Sequence, residues 1–352
     1  MRVEDLDTPT VVVDIARVER NLKRWQDYCD RHGIRNRPHI KTHKVPELAH
    51  RQVALGAVGI ACQKLGEAEV MADAGLEDIL IPYNLLGHAK LDRARALARR
   101  VRLTVACDST VVADGLAEAF AAEGERLAVM VEVDSGMRRC GVGTAEEAAE
   151  LAAHVAAKKS LRFAGFLTYP APRGTAQVQE VMSAAKELLA SRGIDTPAVS
   201  GGGTPDMWRA HEAPVVTEYR VGTYIYYDRM QVAAGAASYE DCALTIRTTV
   251  VSRPGSDRAV LDAGSKTLTS DIGNLDGHGY IVEYPEARIT KLSEEHAQVD
   301  LSACAAKPAV GEQVTVIPNH CCVVSNLFDS VAVAREGRIV GRFPIAARGL
   351  VR

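Results

Sequence analysis

The chain has 352 residues, 47% hydrophobic and 25% charged, with a net charge of −3 at neutral pH. That composition builds a full core and excludes disorder. The nearly balanced charge argues against nucleic acid or an anionic membrane as partner. No apolar run approaches the ~18 residues of a membrane span, and the opening MRVEDLDTP lacks the basic-then-apolar layout of a secretory signal. Eight cysteines without a CxxC pair read as reduced thiols. A cytoplasmic protein of about two domains is expected.

From Asp14 to about Tyr227 short β-branched runs alternate with long Ala/Leu/Arg/Glu stretches of helical spacing, the pattern of repeated βα units on a parallel sheet. In order, the runs centre on Pro38, Gly59, Ile79, Leu103, Val131, Phe166, Val199 and Tyr219. About eight units is what a (β/α)8 TIM-type barrel needs, which leaves the earlier run Thr10–Asp14 over; a doubly wound open sheet is the main rival. After about Val232 the runs are short, β-rich and separated by Gly, Pro or charged turns, which predicts a C-terminal all-β domain. The expected domains are a barrel over 15–233 and a β domain over 234–352 joined by 1–14, with the Ala-rich segment 232–238 as linker.

In such a barrel the chemistry gathers at the C-terminal ends of the strands. Those ends read Lys41, Gln63–Lys64, Tyr83–Asn84, Asp108, Asp134–Arg139, Thr168–Tyr169, Ser200–Thr204 and Gly222–Thr223, nearly all polar or glycine after apolar strands. SGGGTP after the seventh strand and VGTY after the eighth stand where this fold holds phosphate, because glycine lets backbone N–H groups close on an anion. The plain alternative for these glycines is tight turns. A lysine leaving the first strand in RPHIKTHK points into a desolvated mouth, where the neutral amine that attacks carbonyls is favoured; the alternative is a solvated basic patch. Lysine and phosphate site together point to pyridoxal phosphate. In IPNHCCVVSN, His320 and Cys322 at i, i+2 of a strand would face one side and share an open metal site, against the alternative of a buried pair.

These residues carry a further pattern. TPTVVVD, RPHIKTHK, GAVGIACQKLGEAEVMADAGLEDILI, VDSGMRRCGVG, SGGGTP, TEYRVGTYIYYD, LDAGSKTLTSD and PNHCCVVSNLFD occur in the order seen in the D-threonine aldolase/D-serine dehydratase family. The resemblance spans nearly the whole chain and places it among the alanine-racemase-like, fold-type III enzymes. It implies that Lys41 forms the Schiff base with the cofactor and that Tyr169 lies beside it. Gly203, Thr204, Gly222 and Thr223 would hold the phosphate. Arg220 would face the pyridine nitrogen, and since arginine does not give up its proton, a carbanion fully delocalised into the ring is disfavoured. Arg139 matches an arginine that binds substrate carboxylate; its alternative role is a structural salt bridge.

His320 and Cys322 match the family's metal pair, with Mn, Mg or Zn as the candidate ion, in a homodimer. Aldolases tend to carry His-x-Asp there, whereas His-x-Cys looks like zinc-dependent D-serine dehydratases, and cysteine suits zinc. LTYPAPRG departs from the His-rich strand end of many members. The resemblance implies metal-assisted retro-aldol cleavage of a D-β-hydroxy amino acid, D-threonine-like, to glycine and an aldehyde. The competing reading is dehydration to an α-keto acid and ammonia. An amino-acid racemase would leave the metal pair idle, and a non-catalytic carrier of the cofactor would lack the β domain.

Overall fold

The computed structural model describes residues 1–122, 124 and 126–352. After β1 (Thr10–Asp14) and α1 (Ile15–His32) the chain alternates through β2 (Arg35–Asn36), α2 (Pro46–Ala54), β3 (Ile60–Ala61), α3 (Leu65–Asp73), β4 (Asp78–Asn84), α4 (His88–Ala98) and β5 (Arg102–Cys107). It continues with α5 (Thr110–Ala119), β6 (Leu127–Glu132), α6 (Ala145–Ala157), β7 (Leu161–Leu167), α7 (Thr175–Ser191), β8 (Val199–Gly201) and β9 (Glu218–Tyr219). The helix starts are signalled locally: Ser109 caps α5, and Thr144 with Glu147 forms a capping box on α6.

Two compact units result, one of Trp25–Lys41, Pro46–Gly222 and Leu350–Arg352, the other of Met1–Arg24, Thr42–Val45 and Thr223–Gly349. In the first, β2 to β9 form one parallel sheet in the order β2-β9-β8-β7-β6-β5-β4-β3. Its two ends meet through a bridge between His39 and Ala61, where Ala61 N donates to Pro38 O at 2.8 Å, so the sheet curls into a barrel. A strand with helices outside and side chains inside is buried on both faces, and every residue of β6 is buried. Ala61, Leu80, Ala106, Met130 and Leu167, from five successive strands, form one packed cluster. Because all strands run the same way, the ends that carry polar residues share one rim.

In the second unit the leftover run has its place: β1 pairs antiparallel with β10 (Leu244–Ser252) and parallel with β16 (Ser330–Arg335). These belong to a nine-stranded sheet with β11 (Arg258–Leu261), β12 (Gly279–Ile281), β13 (Arg288–Leu292), β14 (Ala297–Asp300), β15 (Gln313–Pro318) and β17 (Arg338–Pro344). Three short helices accompany it, α8 (Arg229–Ala233), α9 (Ser265–Leu268) and α10 (Cys321–Leu327). The segment expected as a linker is structured instead. Asp228 caps α8, whose end covers the start of 232–238, and Ala236 is buried with its N–H on Gln231 O at 3.0 Å. No helix among the described residues is long and apolar enough to cross a membrane.

Candidate active site

In the barrel unit, Lys41 sits in a 3-10 turn (Ile40–Thr42) just past β2. His39 shapes this turn: its Nδ1 accepts from Lys41 N at 3.3 Å, so Nε2 carries the proton and donates to Gln63 Oε1 at 3.1 Å. Lys41 Nζ reaches 5.8 Å from the centre of the Tyr169 ring, at the end of β7. The Arg139 guanidinium lies 4.7 Å from the same ring centre. The loop that delivers it is folded by the Asp134 carboxylate, which accepts from Gly136 N at 2.9 Å and Arg138 N at 3.0 Å. A third strand end closes on this ring: a Cβ on Gly203 would come 3.2 Å from Tyr169. Its neighbour Gly202, at φ +108°, would place a Cβ 2.4 Å from the Tyr219 ring, so only glycine lets the backbone lie this close. Thr204, next in the loop, is buried.

Arg220, just past β9, is fully enclosed. It donates to Ser200 Oγ at 2.6 Å and to Thr168 O at 2.8 Å. Burial pushes its guanidinium down to about 10, against the charges of Glu218 and Glu132, so it remains a cation at neutral pH. Ser200 in turn donates to Glu218 Oε1 at 2.7 Å, and Glu218 accepts from Arg37 at 2.9 Å. Burial raises the Glu132 carboxyl, with Arg220 pulling it back. Sequence reasoning missed this relay; the only signal was the charged residues inside otherwise apolar strand ends.

In the other unit, His320 and Cys322 come together, but not on a strand. β15 ends at Pro318, which lacks the N–H to extend the ladder. His320 is the extended N-cap of α10 (φ −139°, ψ 100°), and Cys322 lies in its first turn. The bend between them directs both side chains to one place. Asp228, fully buried, fixes it by accepting from Cys321 N and, at the cap of α8, from Gln231 N, each at 3.0 Å. Burial pushes that carboxyl up to about 6, with the Cys322 charge adding.

Thr42 Oγ1 lies 3.2 Å from Cys322 Sγ, and Thr223 Oγ1 lies 3.7 Å from it. Hydrogen bonds from Cys321 first, then from His320 and Thr42, hold the Cys322 thiol well below its ordinary range despite burial. Burial alone would lower the imidazole; hydrogen bonding and charge from Cys322, with Asp271, push it up to about 10. Asp271, which meets His320 Nδ1 at 2.6 Å, and Asp228 end the motifs LDAGSKTLTSD and TEYRVGTYIYYD, yet nothing in the spacing gave either a role.

The residues fit the two groups they would hold. Lys41, Arg139 and Arg220, with glycines that bare the backbone next to an aromatic ring, are a donor set for a flat, anionic carbonyl cofactor. A thiolate beside an imidazole is a donor set for a zinc-like dication. Among the described residues no cluster of three or more His, Cys, Asp or Glu could hold a metal ion.

Residues 13–230 match the alanine racemase N-terminal domain, and residues 243–334 match a putative serine dehydratase domain. The chain is 34% identical to the D-threonine aldolase of an Arthrobacter species, over 99% of this chain and 94% of the relative. It superposes on the crystal structure of D-threonine aldolase from Filomicrobium marinum with a TM-score of 0.93 at 33% identity, covering 100% and 98% of the two chains. The D-threo-3-hydroxyaspartate dehydratase of Delftia sp. HT23 gives 0.89 at 29%, covering 97% and 98%, and a mutant with alanine in place of one cysteine has been solved in a metal-free form.

A curled eight-stranded parallel sheet with a lysine past its first strand, together with a mainly antiparallel β unit, is the alanine-racemase-like architecture of fold-type III pyridoxal phosphate enzymes. Within that class, the chain belongs to the D-threonine aldolase/D-serine dehydratase family and is a lyase.

Proposed function

We propose that the protein cleaves D-β-hydroxy amino acids of the D-threonine kind to glycine and an aldehyde, using pyridoxal phosphate and a divalent metal. The observation that carries this is the full-length likeness to the Arthrobacter D-threonine aldolase. Bound cofactor supplies the electron sink and bound metal the Lewis acid for the β-hydroxyl. Lys41 is the residue that carries the cofactor, beside Tyr169, while Gly203, Thr204, Gly222 and Thr223 hold its phosphate. Arg220, a cation fixed by Ser200 and Thr168, would face the pyridine nitrogen without giving up its proton. Arg139 binds the substrate carboxylate, with its guanidinium placed over the Tyr169 ring. His320 and Cys322 would hold the metal, which would supply Lewis acidity to the substrate's β-hydroxyl.

One observation favours a second reading. The pair is His-x-Cys, as expected for the dehydratase branch; dehydration of the same substrates would give an α-keto acid and ammonia. Incubating the holoenzyme with D-threonine and identifying the products separates the two. Glycine and acetaldehyde support the aldolase; dominant 2-oxobutyrate and ammonia support the dehydratase; preference for L-threonine contradicts both.

A further inference from the structure

We infer that Asp271 is the positioning residue of the metal pair, presetting the tautomer and the ring orientation of His320 without itself touching the metal. The inference rests on the reading of His320 and Cys322 as metal ligands. Asp271 Oδ2 lies 2.6 Å from His320 Nδ1, the geometry in which a carboxylate oxygen accepts the Nδ1 proton. The lone pair is then left on Nε2, and the ring is pinned about its long axis. Asp271 comes from a different segment of the chain than the ligands, so the ring is held from outside its own turn.

The backbone that delivers Asp271 is itself held in an unusual conformation. Thr269, two residues before it, is a β-branched residue at φ +66°, ψ 158°, a conformation that disfavours any side chain. Its hydroxyl accepts from Asp271 N at 3.1 Å and so turns the chain to present the carboxylate. Thr269 is buried, and this strained turn directly precedes the acid that meets His320 Nδ1. The other side of the pair is anchored separately, because Asp228 holds Cys321 N. Ring and backbone thus have separate anchors.

The test is metal binding by the full-length, cofactor-loaded protein stripped of metal. Zn(II) affinity is read by competition with a chromogenic chelator, and Co(II) is used as a spectroscopic probe. Loss of a carboxylate partner of a ligating histidine lowers metal affinity roughly 10–100-fold, and that is the result expected for Asp271→Ala, with altered Co(II) d–d bands and unchanged cofactor absorbance. Asp271→Asn, whose carbonyl oxygen still accepts from Nδ1–H, should return affinity to within a few-fold of the parent and restore the Co(II) spectrum. Unchanged affinity in Asp271→Ala overturns the inference. So does an Asn variant as weak as the Ala variant, because the carboxylate would then be a ligand. If the parent protein takes up neither metal, or His320→Ala binds Zn(II) as tightly as the parent, the metal reading itself fails, a result distinct from both.

Discussion

Lys41 and Tyr169 leave the ends of two different barrel strands, and the lysine Nζ stands 5.8 Å from the centre of the tyrosine ring. The turn bearing Lys41 is tied by His39 to Gln63 on the neighbouring strand end, so the amine is presented by the scaffold rather than by a mobile loop. Borohydride reduction of the holoenzyme followed by peptide mapping should therefore label Lys41, and Lys41→Ala should lose the cofactor's visible absorbance. Label on Lys44 or Lys64 would reassign the cofactor's lysine.

Arg139 is exposed, and its guanidinium lies over the Tyr169 ring. A charge-assisted hydrogen bond to a substrate carboxylate is worth about 2 kcal/mol. Arg139→Ala should then lower kcat/KM roughly thirtyfold, chiefly through KM, and leave the unfolding temperature near the parent's. A salt-bridge role would show the reverse: lower stability and an unchanged KM.

Chelation of the holoenzyme, or His320→Ala, should abolish cleavage while cofactor absorbance and fold persist. Loss of Lewis-acid help with the β-hydroxyl is worth several kcal/mol, and ~4 kcal/mol is roughly a thousandfold in rate. A His320→Ala variant that keeps near-parental activity in chelator would return Cys322 to the status of a half-buried thiol.

Glu218 ties the barrel's charged relay to its stability. Burial alone would raise its carboxyl, but Arg37 and the Ser200 hydroxyl overcome this and hold it below the ordinary carboxylate range. A carboxyl depressed by folding stabilises the protein above its unfolded pKa, and that contribution is lost as pH falls through the folded value. Glu132, raised by burial, works in the opposite sense. Glu218→Gln breaks a pair whose side chains are 12% and 5% exposed, and should destabilise by about 3 kcal/mol at pH 7. In urea unfolding followed from pH 7 downward, the gap between variant and parent should close below the ordinary carboxylate range. A gap that stays constant would mean that shape, not charge, sets the effect.

Much of the fold was legible because its signals are local. The alternation of β-branched runs with helical stretches marks each βα unit. The leftover run at Thr10–Asp14 could not be placed, because its partners, β10 and β16, lie more than two hundred residues away along the chain. The approach of His320 to Cys322 was foreseen and its cause was not. The i, i+2 spacing suits a strand, yet the chain bends into a helix there, because Pro318 ends the ladder and Asp228, from a remote segment, caps the first turn. Asp271 and Glu218 were invisible for the same reason. A carboxylate's role depends on which distant cation or imidazole the fold brings to it, and no spacing records that.

The most direct test of the central claim, that the Cα–Cβ bond breaks rather than Cα–H, is the fate of the label in [2-2H]-D-threonine. Retro-aldol cleavage leaves the original Cα deuterium in place, so mass spectrometry should find it retained in the glycine formed, with no primary isotope effect on the rate. Deuterium lost to solvent, with 2-oxobutyrate as the product and a primary isotope effect, would contradict the account.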